Sequence, residues 1–207
     1  MSLLQNDRAG GSWFWAAVSV VVLLAASSPG VARLPSPKPR GRVLIVRGAF
    51  TVFSLGLDEL GTKLRKQGLD VEVTTASGSS SAAAKIRNAY RADPSAGPIV
   101  IIGHSLGGKL APQLARDMKR YGVPVKLVLI LDAPESMSIP SNVERCVNIY
   151  QSIPTGVVRG LPAQAESRST EMVNIDIARY RGLSVNHFNI DGSDWIHDAV
   201  VKEVVRN

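Results

Sequence analysis

The fold is decided by a stretch in the middle of the chain, GPIVIIGHSLGG at residues 97–108. The β-branched residues at 99–102 form an apolar run typical of a buried strand, and the residues after 108 have helical spacing. Ser105 lies between the two segments, with Gly103 and Gly107 two positions away on either side. This spacing predicts a tight turn from strand into helix, in which a side chain at either glycine would collide with the neighbouring turn.

Ser105 is the residue that such a turn exposes. The turn lifts its Oγ above the sheet and sets it at a helix N-terminus. There the backbone N–H of Leu106 and the positive end of the helix dipole stabilise negative charge on an oxygen. The pattern therefore predicts a nucleophilic serine and a serine hydrolase, the alternative being a strand, turn and helix that share the spacing by chance.

The composition fits one soluble domain that begins near residue 42. The chain has 207 residues, of which 45% are hydrophobic and 20% charged, enough for a single substantial core. The apolar stretch Trp13–Ala26 is shorter than the ~20 residues of a spanning helix, and small residues follow it. We expect residues 1–32 to be a signal peptide or an N-terminal membrane anchor, and the protein to be exported (periplasmic or secreted) or membrane-anchored. Residues 33–41 read as a basic, proline-rich linker.

The positive charge is concentrated before the predicted domain. Residues 1–42 contribute +4 of the formal net charge of +7. The rest of the chain has no basic stripe interleaved with aromatic residues, so a nucleic-acid partner is not predicted. Attraction of the N-terminal segment to an anionic membrane surface is the expectation that remains. The single cysteine, Cys146, allows no intramolecular disulfide and is expected to be buried in a strand.

Apolar runs alternate with amphipathic segments along the predicted domain. This alternation predicts an α/β fold: a mostly parallel central sheet with helices on both faces, in three αβα layers. The predicted strands are 42–48, which ends in a glycine turn, 71–75, 99–103, 126–131, 145–150 and 172–177, and the predicted helices are 55–67, 79–91, 109–121 and 194–204.

An acidic partner for Ser105 is expected just after a strand, because ligand sites in such sheets lie beyond the carboxyl ends of the strands. Asp132 directly follows the strand 126–131. A carboxylate there can accept the Nδ1–H of a histidine and fix its tautomer. The alternatives are that Asp132 is an ordinary turn residue and that Asp176 is the acid.

The base is chosen from three histidines. His187 lies in the loop between the last strand and the last helix, from which a side chain can fold back over the sheet edge. His104 is inside the elbow, pointing away from Ser105, and is expected to be a packing residue. His197 lies in the terminal helix, where a solvated or capping role is ordinary. We therefore predict His187 as the base, with His197 as the alternative.

The GHSLGG motif at 103–108 and the order Ser105, Asp132, His187 resemble the α/β-hydrolase superfamily, in particular its small lipase, esterase and thioesterase-like members. The resemblance spans residues 42–207. It implies that the second oxyanion donor is the backbone N–H of Ala49 or Phe50, in the loop after the first strand. The His-Gly pair common in that loop is replaced here by Arg47 and Gly48.

The expected activity is cleavage of carboxylic esters or thioesters through an acyl-enzyme. Ser105 attacks, His187 takes its proton, Asp132 holds the imidazole, and Leu106 and Ala49 bind the oxyanion. No metal or organic cofactor is expected, and the partner is an ester or lipid-like substrate. No insertion is long enough for a large cap domain, so the site is expected to be open to bulky or surface-presented esters. An acyltransferase with the same triad and a non-catalytic binding protein with this fold are the alternatives.

Overall fold

A six-stranded sheet forms the centre of the protein. The computed structural model describes residues 40–49, 55–155, 158–180 and 182–206. All pairs of neighbouring strands in this sheet run parallel, and the strand order is β2-β1-β3-β4-β6-β8. The strands are β1 Arg42–Val46, β2 Asp70–Thr74, β3 Ile99–His104, β4 Val125–Leu131, β6 Val143–Tyr150 and β8 Glu171–Asp176.

Helices cover both faces of the sheet. They are α1 Gly56–Lys66, α2 Ser79–Ala92, α3 Leu106–Lys119 and α4 Asp194–Arg206. Buried residues of α2 and α3 pack on one face with one set of strand residues, and those of α1 and α4 pack on the other face with the alternate set. The central strands are buried on both faces, which explains their uninterrupted apolar sequences. The predicted three-layer α/β fold is confirmed.

The predicted element boundaries need small corrections. The elbow helix begins at Leu106, three residues earlier than its apolar spacing indicates, because the turn itself supplies the first helical residues. The last strand ends at Asp176, since the next residues form a short 3₁₀ turn, Ile177–Arg179. The last helix extends to Arg206.

A second, two-stranded sheet was not predicted. It pairs β5, Ser138–Ile139, with β7, Gln164–Ala165, in parallel. Two-residue strands are too short for a detectable alternation of apolar and polar residues. This sheet joins the segment after β4 to the segment before β8, and no large cap domain interrupts the sheet in the part of the chain that the structure describes.

The predicted leader and linker lie almost entirely outside the described residues, which begin at Arg40. Within the described ranges, no helix has the length and apolar character needed to cross a membrane. Export or anchoring through residues 1–32 stays a prediction.

Candidate active site

The turn between β3 and α3 presents Ser105 at the carboxyl edge of the sheet. Ser105 has φ 54° and ψ −117°, and its hydroxyl does not cap the helix that follows. A Cβ at Gly103 would lie 2.2 Å from the carbonyl oxygen of Gly107, and a Cβ at Gly107 would lie 2.1 Å from that of Val46. Only glycine fits at these two positions. Leu106 is the first residue of α3, so its N–H has no acceptor within the helix and is available to an oxyanion.

Asp132 lies beside the elbow, directly after β4. It has φ 49°, and Ser105 and Asp132 are the only non-glycine residues with positive φ among the described residues. The N–H of Ser105 donates to the carbonyl of Leu131 at 2.9 Å, which fixes the elbow against the end of β4. Such backbone conformations cost about 1–3 kcal/mol each and are concentrated at functional sites. The two strained residues are therefore held at adjacent strand ends.

The Asp132 carboxylate holds His187, from a loop 55 residues further along the chain. Its Oδ2 lies 2.8 Å from Nδ1 of His187, and the two side chains are only 2% and 7% exposed. Its Oδ1 accepts the backbone N–H of Gln151 at 2.8 Å. A carboxylate can only accept from the ring, so Nδ1 carries a proton and Nε2 has a free lone pair.

Gly160 closes the other side of the Asp132 carboxylate. A Cβ at this position would lie 2.1 Å from Oδ1 of Asp132 and 2.8 Å from Cβ of Tyr150. The N–H of Gly160 also donates to the carbonyl of Gln151 at 2.9 Å. The backbone at Gly160 therefore covers the carboxylate at a distance that no other residue allows. The sequence does not indicate this contact.

The other two histidines, His104 and His197, make different hydrogen bonds from those of His187. His104 Nε2 lies 3.0 Å from the carbonyl oxygen of His187, and His197 Nε2 lies 2.6 Å from that of Asp191. A carbonyl only accepts, so Nε2 is protonated in both rings and cannot take a proton. His197 is fully buried, so the expectation that it is solvated is wrong: α4 turns this side chain into the core.

Asp176, the alternative acid, makes no hydrogen bond to a histidine ring among the described residues. Its Oδ1 accepts the N–H groups of Ser152 and Ala178, and its Oδ2 lies 3.4 Å from Arg179. These bonds hold the pKa of Asp176 below its ordinary value against the opposing effect of burial. The carboxylate thus ties the end of β8 to the end of β6.

The Ser105 hydroxyl and Nε2 of His187 do not hydrogen-bond to each other here, and neither has another partner among the described residues. The ring of His187 contacts two other rings, those of His104 and Phe188, at centroid distances of 5.2 and 5.5 Å. Catalytic hydrogen bonds of free enzymes are often long and tighten when substrate binds. Ser105, Asp132 and His187 are brought to one edge of the sheet, but the bond from serine to imidazole is absent.

Ala49 follows β1 at the same edge and is exposed, whereas Phe50 lies outside the described residues. Two positions before Ala49, the side chain of Arg47 forms an ion pair with Asp58 of α1. Its backbone N–H donates to the carbonyl of Thr74 at 2.9 Å. Arg47, which replaces the histidine common in this loop, therefore fixes the end of β1 to the first turn of α1.

Asp191 is a buried carboxylate near the site that the sequence does not indicate. It is 2% exposed and accepts the N–H of Gly56, the first residue of α1. Burial raises its pKa to about 6. The hydrogen bonds from its own N–H and from the N–H of Gly56 oppose the rise, as does the nearby His197. Asp191 therefore joins the start of α1 to the segment that carries His187.

Glu59, Asp194 and His197 are the one set of described acidic and histidine side chains close enough to hold a metal ion, with ligand atoms within 4.8 Å of one another. The ammonium of Lys63 lies 3.1 Å from Glu59, 2.8 Å from Asp194 and 3.2 Å from Nδ1 of His197. The Lys63 ammonium therefore occupies the space between these three side chains that a metal ion would need.

Cys146 is buried in β6, as predicted. Burial raises the pKa of its thiol to about 12, so the reactive thiolate is not formed near neutral pH.

The family model for the thioesterase domain matches residues 61–145. The matched part includes Ser105 and Asp132 and ends before His187. It supports an ester or thioester hydrolase and is consistent with the thioesterase-like resemblance of the sequence motif. No curated protein sequence matches the chain significantly.

Several solved thioesterase structures are similar to this chain. Human thioesterase 2 is 11% identical, with a TM-score of 0.45, covering 81% of this chain and 98% of that one. The NocB thioesterase domain from the Nocardicin cluster is 14% identical, with a TM-score of 0.48 and coverages of 80% and 94%. The RedJ thioesterase of prodiginine biosynthesis in Streptomyces coelicolor is 11% identical, with a TM-score of 0.45 and coverages of 88% and 98%.

We predict that Gly160→Ala destabilises the fold by about 1–3 kcal/mol, because the added methyl group overlaps the Asp132 carboxylate. Urea unfolding measures this change. Gly192→Ala is the matched control, since the nearest atom to its new methyl group is 4.0 Å away. Equal unfolding midpoints for the two variants would contradict the close contact.

We predict that Asp191→Asn stabilises the protein at pH 7.5 by something on the order of 2 kcal/mol. The raised pKa of Asp191 means that the folded state binds a proton between about pH 4 and pH 6 that the unfolded state has released. The stability from this group therefore falls as pH rises through that window, and the substitution removes the penalty. Urea unfolding at pH 4 and 7.5 tests this: the gain should vanish at pH 4, and a loss at pH 7.5 would contradict the prediction.

Proposed function

We propose that this chain, with its α/β-hydrolase fold, is a serine hydrolase that cleaves carboxylic esters or thioesters through an acyl-enzyme. The observation that carries the proposal is the buried 2.8 Å hydrogen bond from Nδ1 of His187 to Asp132 at the edge where the elbow presents Ser105. That bond leaves Nε2 of His187 as an imidazole lone pair at this edge. His104 and His197 have their Nε2 atoms committed to carbonyl groups.

Acylation follows from these roles. Ser105 Oγ attacks the acyl carbon while its proton passes to Nε2 of His187, and the Asp132 carboxylate stabilises the imidazolium that forms. The N–H of Leu106, together with that of Ala49, donates to the oxyanion. The imidazolium then gives its proton to the departing thiolate or alkoxide. Substrate binding has to shorten the distance from serine to imidazole, which is not a hydrogen bond in this structure.

Deacylation repeats the same steps with water. His187 takes a proton from the attacking water, the oxyanion forms again at Leu106, and its collapse breaks the bond to Ser105 Oγ, which takes the proton back from His187 as the acid is released. The buried Asp132 and its bond from Gln151 stay fixed throughout, since both are held by backbone rather than by substrate. All the proton transfers of this cycle use side chains of the chain itself.

The surroundings of the site favour an apolar acyl group. Large hydrophobic side chains are exposed in segments at this edge: Leu55, which precedes α1, Ile153, which follows β6, and Phe188, the neighbour of His187, are 66%, 59% and 53% exposed. No large cap covers the described part of the sheet edge. We therefore propose medium or long acyl chains, presented on a bulky leaving group, as substrates.

We predict that a fluorophosphonate probe labels Ser105 in the full-length protein and that Ser105→Ala removes the labelling. Asp132→Asn and His187→Gln should each lower kcat about 10³-fold or more, because the imidazole loses its orientation or its lone pair. The measurement is hydrolysis of nitrophenyl esters and acyl thioesters of increasing chain length. Absence of both labelling and hydrolysis would favour the non-catalytic binding protein.

The matched controls are Asp176→Asn and His197→Gln, which remove the alternative acid and the alternative base at other buried positions. Both should keep kcat within about threefold of the wild type. If His197→Gln abolishes labelling while His187→Gln retains it, the assignment of the base is wrong.

Hydrolysis and acyl transfer use the same residues, so the product decides between them. Incubating the acyl-enzyme with increasing concentrations of an alcohol or amine acceptor and measuring free acid against transferred product tests the distinction. We expect free acid to dominate, because the open edge admits water. Exclusive formation of transferred product would make the protein an acyltransferase.

A further inference from the structure

His104 is a buried polar residue that the proposed reaction does not use. It is 4% exposed and is the last residue of β3, immediately before Ser105. Its Nε2 donates to the main-chain carbonyl of His187 at 3.0 Å. Its Nδ1 is buried without a partner in the described part of the chain. A buried ring that satisfies one nitrogen and leaves the other unpaired costs stability, which points to a role for the bond that it does make.

This bond acts on the loop that carries the base. The backbone bonds of that loop are internal: the N–H groups of Asn189 and Ile190 both donate to the carbonyl of Asn186. His187 itself is fastened to the sheet in two ways, through its ring to Asp132 and through its carbonyl to His104. With the ring bond alone, the imidazole can pivot about the carboxylate. The second bond fixes the backbone and so sets the direction in which Nε2 points.

The charge state of His104 suits this role. Burial and, to a smaller extent, the neighbouring His187 lower its pKa to about 4, against the opposing effects of its hydrogen bond and of Asp132. His104 is therefore neutral near pH 7, with its one ring proton committed to the carbonyl. A neutral ring does not repel the imidazolium that forms on His187 during the proposed reaction, although the two rings are 5.2 Å apart.

We propose that His104 is a positioning residue: the hydrogen bond from its Nε2 to the backbone of His187 ties the base to the strand that carries the nucleophile. This inference rests on the proposed function of Ser105 and His187. It gives the histidine of the GHSLGG motif a task distinct from packing, because a packing role needs the volume of the ring and not its proton.

The test separates ring volume from ring proton. His104→Phe keeps a planar ring without the donor, and His104→Gln keeps an N–H donor near the position of Nε2. Val128→Ala, which removes buried volume from β4, is the control for general destabilisation. In full-length protein we expect His104→Phe to lower the rate of fluorophosphonate labelling and kcat by about 10–100-fold, with KM little changed. His104→Gln should restore the rates to within about fivefold of the wild type.

Histidine-ring NMR provides a readout that does not depend on activity. In the wild type we expect a slowly exchanging Nδ1–H signal from His187, held by Asp132, which should broaden in His104→Phe and return in His104→Gln. Equal signals and rates in His104→Phe and the wild type would overturn the proposal, and so would losses in His104→Gln as large as those in His104→Phe. If the NMR signal changes across the three proteins as expected but the wild type is not labelled, the proposed function is refuted and the positioning role stays supported.

Discussion

The hydrogen bond between Asp132 and His187 is the interaction on which the whole carboxyl edge of the sheet depends. It joins the end of β4 to the loop that carries His187. The carboxylate is in turn fixed by the N–H of Gln151 and covered by the backbone at Gly160. A buried carboxylate is tolerable only when its oxygens are paired, and these partners satisfy both.

Several residues near the bond between Asp132 and His187 lower the stability of the fold. Ser105 and Asp132 have strained backbones, and His104 and Asp191 are buried titratable groups with shifted pKa values. The shifts oppose each other: a lowered histidine pKa makes stability rise with pH between about 4 and 6.5, and a raised aspartate pKa makes it fall between about 4 and 6. The stability of the folded state therefore changes less in mild acid than it would if only one of these groups were present.

The sequence predicts the parts of this arrangement that follow from strand order. Apolar runs identify the parallel strands, and parallel strands bring their carboxyl ends to one edge, so Ser105, Asp132 and the His187 loop are expected together. The close approach of Gly160, the carboxylate of Asp191 and the bond from His104 depend on how loops pack over that edge. No periodicity in the chain encodes such contacts, and the burial of His197 follows from the rotation of α4 about its axis, which its mixed sequence leaves open.

The three histidines differ in their hydrogen-bond partners and not only in their positions. Each ring has one nitrogen that must carry the proton and one that keeps a lone pair. The lone pair of His104 is enclosed, and that of His197 faces the Lys63 ammonium at 3.2 Å. Only His187 directs its proton to a carboxylate, so only its lone pair is both free and strengthened by a neighbouring negative charge. The proposal of His187 as the base therefore rests on these partners and on the strand order, and not on a distance to Ser105.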